Sequence, residues 1–115
     1  MAYMLLILEP HGQRAARTPE QGTAAFERML GFARDLKARG LLRATESLRA
    51  NGVRVTHRDG KSLRIDGPFA ESKELIGGFF LLDCDDREQA IAIAAQCPAA
   101  EWATVEVREL GPCYT

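Results

Sequence analysis

The stretch from Asp66 to Glu74 reads DGPFAESKE and carries the densest group of residues that could do chemistry. It follows an alternating segment and precedes an unbroken apolar run, so its charges lie beside a strand that we expect to be buried. A loop that only closed a hairpin would not need so many ionisable side chains. The sequence therefore predicts a site here, but it does not name a reaction.

Asp66 is the first candidate acid or base of this run. A carboxylate at the edge of a cleft can take a proton from a bound substrate. The alternative is structural, because an Asp side chain before a turn can accept backbone hydrogen bonds and would hold the Gly67-Pro68 turn in place. Pro68 and Phe69 are predicted to border the ligand, or else to serve as scaffold in the core or at a dimer interface.

The other charged residues of the run are predicted ligand contacts. Lys73 could hold an anionic group of a substrate, and Glu71 and Glu74 would share a face if the stretch were helical. The alternative is a solvated charged turn, since exposed ion pairs are common and contribute little.

Glu46 is the second candidate acid or base. It falls in an alternating strand, and the residues predicted to share its face are Leu42, Ala44 and Leu48. The carboxylate would then point toward apolar surroundings, where an ionised group needs a partner. Alternatively, the strand twists outward at its end and leaves Glu46 in water. His11 and His57 have no identified partner and are weaker candidates.

Two helices and six strands are predicted to position these residues. The first helix has Thr18 as its N-cap, Pro19 at its first position and Gln21 completing a capping box, and it ends at Gly40. The second is predicted to begin at Asp85 as N-cap and to end before Pro98. The predicted strands are Tyr3–Leu8, Leu41–Leu48, Val53–His57, Lys61–Ile65, Gly77–Cys84 and Thr104–Leu110.

The two middle strands flank Arg58-Asp59-Gly60 and predict a hairpin with one of two registers. A two-residue Asp-Gly turn would place Val55 opposite Arg64 and mix polar with apolar residues. A three-residue loop would instead pair Val55 with Leu63. We expect the second register, because it keeps the apolar residues together.

The order of elements is β-α-β, an inserted hairpin, then β-α-β. This order predicts a ferredoxin-like α+β domain with an antiparallel sheet and both helices on one face. The strands at Tyr3–Leu8 and Gly77–Cys84 are apolar on both sides, so the other face also needs a cover. A second copy of the chain is the simplest cover, which predicts a homodimer.

Composition limits the class of protein. The 115 residues form one domain, 1–115, and the net charge of −1 with dispersed Lys and Arg gives no nucleic-acid footprint. The apolar runs are too short for a membrane span, and no signal peptide is evident. The three cysteines lie far apart, which favours reduced thiols in a cytoplasmic protein and argues against a zinc site. No metal, flavin or nucleotide signature is present, so any reaction is expected to need no cofactor.

The chain resembles the YCII-related family, and specifically its DGPF branch, through Asp66-Gly67-Pro68-Phe69. The opening Tyr3-Met4-Leu5-Leu6, the Gly77-Gly78-Phe79 run, Cys97-Pro98 and the closing Val105-Glu106-Val107-Arg108 extend the resemblance over the whole chain. It implies a dimeric α/β barrel and a biochemical function that is largely unassigned. A better-studied branch implies a His–Asp pair in a cleft, but neither histidine here lies in a matching motif.

Two functions follow from these observations. The first is a cofactor-independent enzyme that binds a small polar or anionic molecule near the Asp66 loop, with Asp66 or Glu46 as acid or base. The second is a non-catalytic dimeric module that binds a ligand or a protein, in which the loop organises the interface.

Overall fold

Six strands and two α-helices form in the computed structural model, which describes residues 2–69 and 71–114. The strands are β1 (Ala2–Pro10), β2 (Leu42–Ser47), β3 (Val53–Arg58), β4 (Lys61–Asp66), β5 (Glu74–Asp83) and β6 (Thr104–Glu109). The helices are α1 (Pro19–Ala38) and α2 (Arg87–Gln96), and a short 3-10 helix covers Pro98–Glu101.

The main sheet has the order β2-β5-β1-β6, and each neighbouring pair is antiparallel. This is the predicted ferredoxin-like arrangement, in which the two βαβ halves interleave their strands. Within residues 2–69 and 71–114, strands β3 and β4 pair only with each other and form a separate two-stranded sheet. The inserted hairpin is thus an arm attached to the domain and not a part of its main sheet.

Helix α1 begins as predicted. The backbone N–H of Gln21 donates to Thr18 Oγ1 at 3.2 Å, and the backbone N–H of Thr18 donates to Gln21 Oε1 at 2.9 Å. Both bonds satisfy amide groups that the first helical turn leaves without partners. Gly40 follows the helix with φ of 72°, a value that glycine adopts without strain. The capping residues therefore fix where α1 begins and ends.

Helix α2 begins one residue later than predicted. Asp86, and not Asp85, is the N-cap, because its side chain accepts a 2.8 Å bond from the backbone N–H of Gln89. The Gln89 side chain in turn accepts a bond from the backbone N–H of Asp85 at 2.6 Å. The two adjacent aspartates offered similar capping signals, and the spacing to Gln89 decides between them.

The hairpin takes the register that we did not expect. Val55 lies opposite Arg64, and Asp59 and Gly60 form the two-residue turn with φ of 51° and 73°. Positive φ at both positions is what a type I′ turn requires, and Asp-Gly tolerates it. Grouping the apolar residues would gain little here, since Val55 is 68% exposed and Leu63 is 56% exposed. Turn chemistry therefore sets the register.

The core lies between the main sheet and the helices. Alternate residues of β1 and β5 point into it, and the largest fully buried side chains are Leu5, Leu36 and Leu82. The intervening residues Met4, Leu6, Phe79 and Leu81 lie on the opposite face of the sheet and are half-buried. We call this opposite face, which neither helix covers, the open face.

Strand β2 is irregular near its start. Leu42 lies opposite Leu82, whereas Ala44 lies opposite Leu81, so the pairing shifts between Leu42 and Ala44. Residues directly opposite each other share a face of the sheet. Leu42 therefore faces the helices and Glu46, opposite Phe79, faces the other way. The prediction that Leu42 and Glu46 share a face was wrong because of this bulge.

The three cysteines are free thiols. Burial raises the pKa of the Cys84 and Cys97 thiols, whereas Cys113 is exposed. No helix in residues 2–69 and 71–114 is long and apolar enough to cross a membrane.

Candidate functional site

A cavity of about 740 Å³ lies between α1 and the main sheet. Its apolar lining comes from both sides and includes Ile7, Phe26, Met29, Leu30 and Phe80. Polar and charged residues lie along the rest of its lining: Glu9, Arg14, Arg17, Thr18, Thr45, Glu46 and Ser47. A volume in this range suits a small organic molecule, and a mostly apolar lining with a few polar groups is typical of a binding site.

Glu9 is the buried charge of this cavity. It continues the alternation of β1 one step beyond Ile7, so it points toward the helices and is only 5% exposed. Arg14, in the segment between β1 and α1, places Nη2 at 2.6 Å from Glu9 Oε1. The ion pair neutralises a carboxylate that would otherwise be very costly to bury.

Besides its ion pair with Glu9, the Arg14 side chain donates two hydrogen bonds to backbone carbonyls. Its Nη1 donates to the backbone carbonyl of Leu48 at 2.6 Å, and its Nη2 donates to the carbonyl of Gly77 at 3.0 Å. These bonds connect the segment after β1 to the end of β2 and to β5. No group among the described residues donates a hydrogen bond to Glu9 Oε1, so the contact with Arg14 is electrostatic without an aligned hydrogen bond.

Gly77 makes room for this ion pair. In the β1–β5 pairing Ile7 lies opposite Gly78 and Leu8 lies opposite Ile76, so Gly77 is an extra, bulged residue. A Cβ on Gly77 would overlap the Glu9 carboxylate and approach Arg14. Bulges occur often beside functional sites because they redirect the strand locally.

Trp102 lies at the rim of the cavity, between two guanidinium groups. The Arg17 and Arg28 guanidinium carbons lie 5.6 and 5.5 Å from the ring centre, within the range of cation–π attraction. Arg28 also forms an exposed ion pair with Glu101, and its hydrogen bond lowers the pKa of the Glu101 carboxyl. Gln13 Nε2 donates to the Trp102 carbonyl at 2.6 Å, which connects the rim to the segment that carries Arg14.

A second cavity of about 300 Å³ lies next to the first. Glu9 and Arg14 line both cavities, so the ion pair lies where they adjoin. The second cavity is also lined by His11 and Pro68, two residues that the sequence singled out. It is the only one of the two cavities that the loop after β4 borders.

Glu46 borders the larger cavity and is exposed. Its place opposite Phe79 at the end of β2 leaves the side chain in contact with water, which is the alternative that the sequence left open. The neighbouring Thr45 bonds the Phe79 carbonyl through its hydroxyl at 2.8 Å. Glu46 thus contributes to the cavity lining from β2, but its side chain projects on the side of the sheet away from the helices.

Asp66 lies outside both cavities. Its side chain is 67% exposed and accepts a bond from Arg64 Nε at 3.1 Å. The turn that follows is held by a backbone bond from Gly67 N–H to the Gly52 carbonyl at 2.8 Å, in which the Asp66 side chain takes no part. The structure therefore does not bring Asp66 and Glu46 to one cavity.

Two of the other predicted loop residues, Phe69 and Glu71, lie against Arg54 of β3. Its guanidinium stacks 3.8 Å from the centre of the Phe69 ring, and its Nη1 lies 3.8 Å from Glu71 Oε1. Lys73 and Glu74 are exposed, and Glu74 begins β5, so the stretch is not the helix that would have aligned Glu71 with Glu74. Ala70 of this run is outside the described residues.

The histidines lie apart from each other. The backbone N–H of His11 donates to the Lys73 carbonyl at 2.9 Å, and His57 Nδ1 lies 3.0 Å from Ser62 Oγ in the exposed hairpin. Residues 2–69 and 71–114 contain no cluster of three His, Cys, Asp or Glu that could hold a metal ion.

The sequence reasoning missed Glu9, Arg14 and Gly77. It ended the first strand at Leu8 and assigned Glu9 to a polar loop, whereas β1 continues to Pro10. Glu9 was detectable, because it stays in phase with Tyr3, Leu5 and Ile7 along the strand. Arg14 gave no such signal, since its role depends on a fold that brings Leu48 and Gly77 to it.

Comparison with known proteins identifies the family. A model of the YCII-related domain matches residues 1–113. The chain belongs to the YCII-related family. It is also similar to an uncharacterized protein of Rhizobium meliloti, with 40% identity over 58 residues that make up 49% of this chain and 47% of that protein. The matched part is thus about half the length of this curated relative, whose name gives no activity.

Proposed function

We propose that this YCII-related protein binds a small polar molecule with an apolar body in the cavity between α1 and the main sheet. The observation that carries the proposal is the buried Glu9–Arg14 ion pair lining a cavity of about 740 Å³. Structural ion pairs are usually exposed, and a buried one at a cavity is a candidate for ligand recognition.

The wall of the cavity supports an apolar body for the ligand. Phe26 is 51% exposed although it lies beside the cavity, so a ligand that packs against it would remove apolar surface from water. Arg17 at the rim could receive an anionic substituent, because its guanidinium lies over Trp102 and not in a strong ion pair. Such a ligand would meet apolar, cationic and carboxylate groups in one cavity.

Blocking the cavity tests the proposal. A library of small polar molecules is screened by thermal shift, and hits are confirmed by chemical-shift changes at cavity residues. Ala25→Phe should abolish binding, since Ala25 lines the cavity and a phenyl ring would fill part of it. Ala24→Phe is the matched control, because Ala24 is the exposed neighbour on α1 and should leave binding unchanged. Molecules that bind the Ala25→Phe variant as tightly as the Ala24→Phe variant would contradict a binding site in this cavity.

Acid–base catalysis is the proposal for Glu46 and Asp66. Glu46 contributes to the lining of the larger cavity, and a substrate would meet its carboxylate by extending past the edge strand β2. Asp66 would need a substrate that reaches the outer loop. Glu46→Gln should then abolish turnover of a cavity ligand while leaving its affinity within a few fold. Equal turnover by wild type and variant would remove Glu46 from the reaction.

The second candidate function is that of a dimeric module, and the open face favours it. Met4, Leu6, Phe79 and Leu81 are apolar there and lack a helix above them. The radius of gyration of 16.0 Å also exceeds the about 13 Å of a compact chain of this size. Part of this excess comes from the hairpin arm, and a lone two-stranded hairpin is marginally stable in water. A second copy could cover both surfaces.

Sedimentation at micromolar concentration tests the homodimer. Leu6→Asp should dissociate or unfold it, because a charge buried at the interface would have no partner. Arg43→Asp, at an exposed position of β2, is the control that should leave the sedimentation coefficient unchanged. A wild-type protein that sediments only as a 12.7 kDa monomer would contradict the dimer.

Within the family, we assign the chain to the DGPF branch. The supporting observation is the intact Asp66-Gly67-Pro68-Phe69 run, in which Phe69 packs under Arg54 and Gly67 approaches Gly52 too closely for a side chain. Pro68 lines the smaller cavity and thus gives this run one contact with the Glu9–Arg14 region.

A further inference from the structure

We propose that the ligand of the larger cavity is a carboxylate monoanion with an apolar body, and that Arg17 binds its carboxylate group. This inference rests on the proposed function, since it names the class of molecule that the same cavity takes. Among the charged side chains that line this cavity, Arg17 is the cation that has no carboxylate partner within residues 2–69 and 71–114.

Arg17 is half-buried at the rim of the cavity, in the turn that precedes α1. Its guanidinium carbon lies 5.6 Å from the centre of the Trp102 ring, and its Nη2 donates to the neutral amide oxygen of Gln13 at 3.3 Å. Neither contact supplies a negative charge. The neighbouring side chains therefore position the guanidinium group and leave its charge available to a ligand.

The other charged groups near the cavity are neutralised or point elsewhere. Arg14 pairs with Glu9 at 2.6 Å, and Arg28 pairs with Glu101. The Glu46 carboxylate projects on the side of the sheet away from the helices. A single uncompensated positive charge thus remains on the helix side of the cavity, and it favours a ligand with a single negative charge.

The polar groups at the rim match a carboxylate. A guanidinium group presents parallel N–H donors that can bind both oxygens of a carboxylate. Thr18 also lines the cavity; its Oγ1 accepts the backbone N–H of Gln21, and its own O–H donates to no group among the described residues. A phosphate would bring nearly two negative charges to one free cation, whereas a carboxylate brings one.

The inner wall of the cavity suits an apolar body attached to that carboxylate. Ile7 and Phe80 line it from the sheet, and Met29 and the half-exposed Phe26 line it from α1. A ligand that places its carboxylate at the rim can pack its body against these side chains, which removes apolar surface from water. An aromatic or branched aliphatic carboxylate fits these features.

Benzoate and benzamide test the inference, because they share a ring and a planar polar group and differ in charge. Their dissociation constants are measured by titration of chemical shifts at cavity residues in the wild-type protein. Benzoate should bind about tenfold more tightly than benzamide, as expected when a hydrogen bond joins two charged groups. Equal affinities, or tighter binding of benzamide, would overturn the inference. Tighter binding of phenyl phosphate than of benzoate would overturn the carboxylate class.

Arg17→Gln identifies the residue that binds the anion. Gln keeps an amide donor and loses the charge, so the preference for benzoate should fall to about twofold or less, with little change in the affinity for benzamide. Arg34→Gln, at an exposed position of α1 outside the cavity lining, changes the net charge equally and should keep the preference. A preference that persists in Arg17→Gln would overturn the role of Arg17.

A second control separates the charge of Arg17 from the packing around Trp102. The double variant Arg28→Gln/Glu101→Gln removes the other guanidinium group near this ring together with its paired carboxylate, so the net charge is unchanged. This variant should retain the preference for benzoate. If it lost the preference as Arg17→Gln does, packing against the indole would be the cause, and the inference would fail.

The remaining outcomes separate this inference from the proposed function. If benzamide binds as tightly as benzoate and is blocked by Ala25→Phe, the inference fails and the proposed function stands. If neither probe binds, a carboxylate hit of the screen and its amide replace them, and a screen that yields only uncharged cavity ligands overturns the inference alone. If no molecule binds at the cavity, both fail. The wild-type comparison decides even if Arg17→Gln does not fold.

Discussion

Two arginine–carboxylate pairs in this molecule have very different surroundings. Arg14 and Glu9 join the segment after β1 to β1 itself, and their side chains are 39% and 6% exposed. Arg64 and Asp66 lie two residues apart on β4, and their side chains are 72% and 67% exposed. The nitrogen–oxygen distances, 2.6 and 3.1 Å, differ little, so burial is what distinguishes the Glu9–Arg14 pair from the surface pair.

The difference shows that a high density of charged residues in a sequence does not by itself locate a buried ion pair. The run from Asp66 to Glu74 is rich in charge because it is a solvated turn against an exposed hairpin, where pairs contribute little. Glu9 is a single charge at the end of an apolar strand, and there the cost of burial forces a partner. The free energy of unfolding should follow this contrast, with the buried pair contributing more than the exposed one.

Arg14→Ala should have the largest effect. It leaves Glu9 buried without a counter-charge and removes two bonds to backbone carbonyls. We expect the free energy of unfolding to fall by about 3 kcal/mol, at the low end for a broken buried pair because Arg14 itself is partly exposed. Urea denaturation gives this value. Arg64→Ala, which breaks the exposed pair, is the control. If both variants lost the same free energy of unfolding, the buried pair would be no more important for stability than the exposed one.

Gly77→Ala should have the next largest effect. The added methyl group would overlap the Glu9 carboxylate, so either the pair or the β5 bulge must move. We expect a loss of about 1–3 kcal/mol, the usual range for overpacking. Gly31→Ala is the control. Gly31 lies in α1, and no atom of the described residues lies within 4 Å of the position that an added methyl group would take, so this change should stabilise by about 0.5–1 kcal/mol.

Asp66→Asn should change stability little. The variant loses an exposed ion pair with Arg64, and the turn keeps its backbone bond from Gly67 to Gly52. The expected change is below about 1 kcal/mol, measured by the same denaturation. A loss above that of Gly77→Ala would show that Asp66 has a structural role that its exposed contacts do not explain.

The pair between Arg28 and Glu101 should give the smallest effect, and this effect should disappear in acid. The Arg28 hydrogen bond lowers the pKa of Glu101 below its ordinary value of 4.5, so the folded state holds this proton less tightly than the unfolded state. The stabilisation is complete above pH 4.5 and is lost as the pH falls through the folded-state pKa. Melting temperatures of wild type and Glu101→Gln should therefore differ at neutral pH and converge in acid. A difference in melting temperature that persists in acid would show that it does not come from the ionised Glu101 carboxylate.

Local patterns predicted most of the fold. The Thr18 capping box, the continuous apolar run of a central strand at Tyr3–Leu8 and the βαβ order are short-range signals, and each of them was confirmed. The errors came from competing local signals: turn chemistry against apolar pairing in the hairpin, and Asp85 against Asp86 at α2. The candidate site was less predictable, because Arg14 meets its partners only through contacts between segments far apart in the chain.

The position of Trp102 makes the larger cavity accessible to fluorescence spectroscopy. It is the single tryptophan of the sequence, and it lies at the rim of the larger cavity beside Arg17 and Arg28. Indole emission responds to nearby charge and to water, so a molecule that enters the cavity should change the intensity or wavelength of the intrinsic fluorescence. The unlabelled protein therefore contains its own optical probe of cavity occupancy.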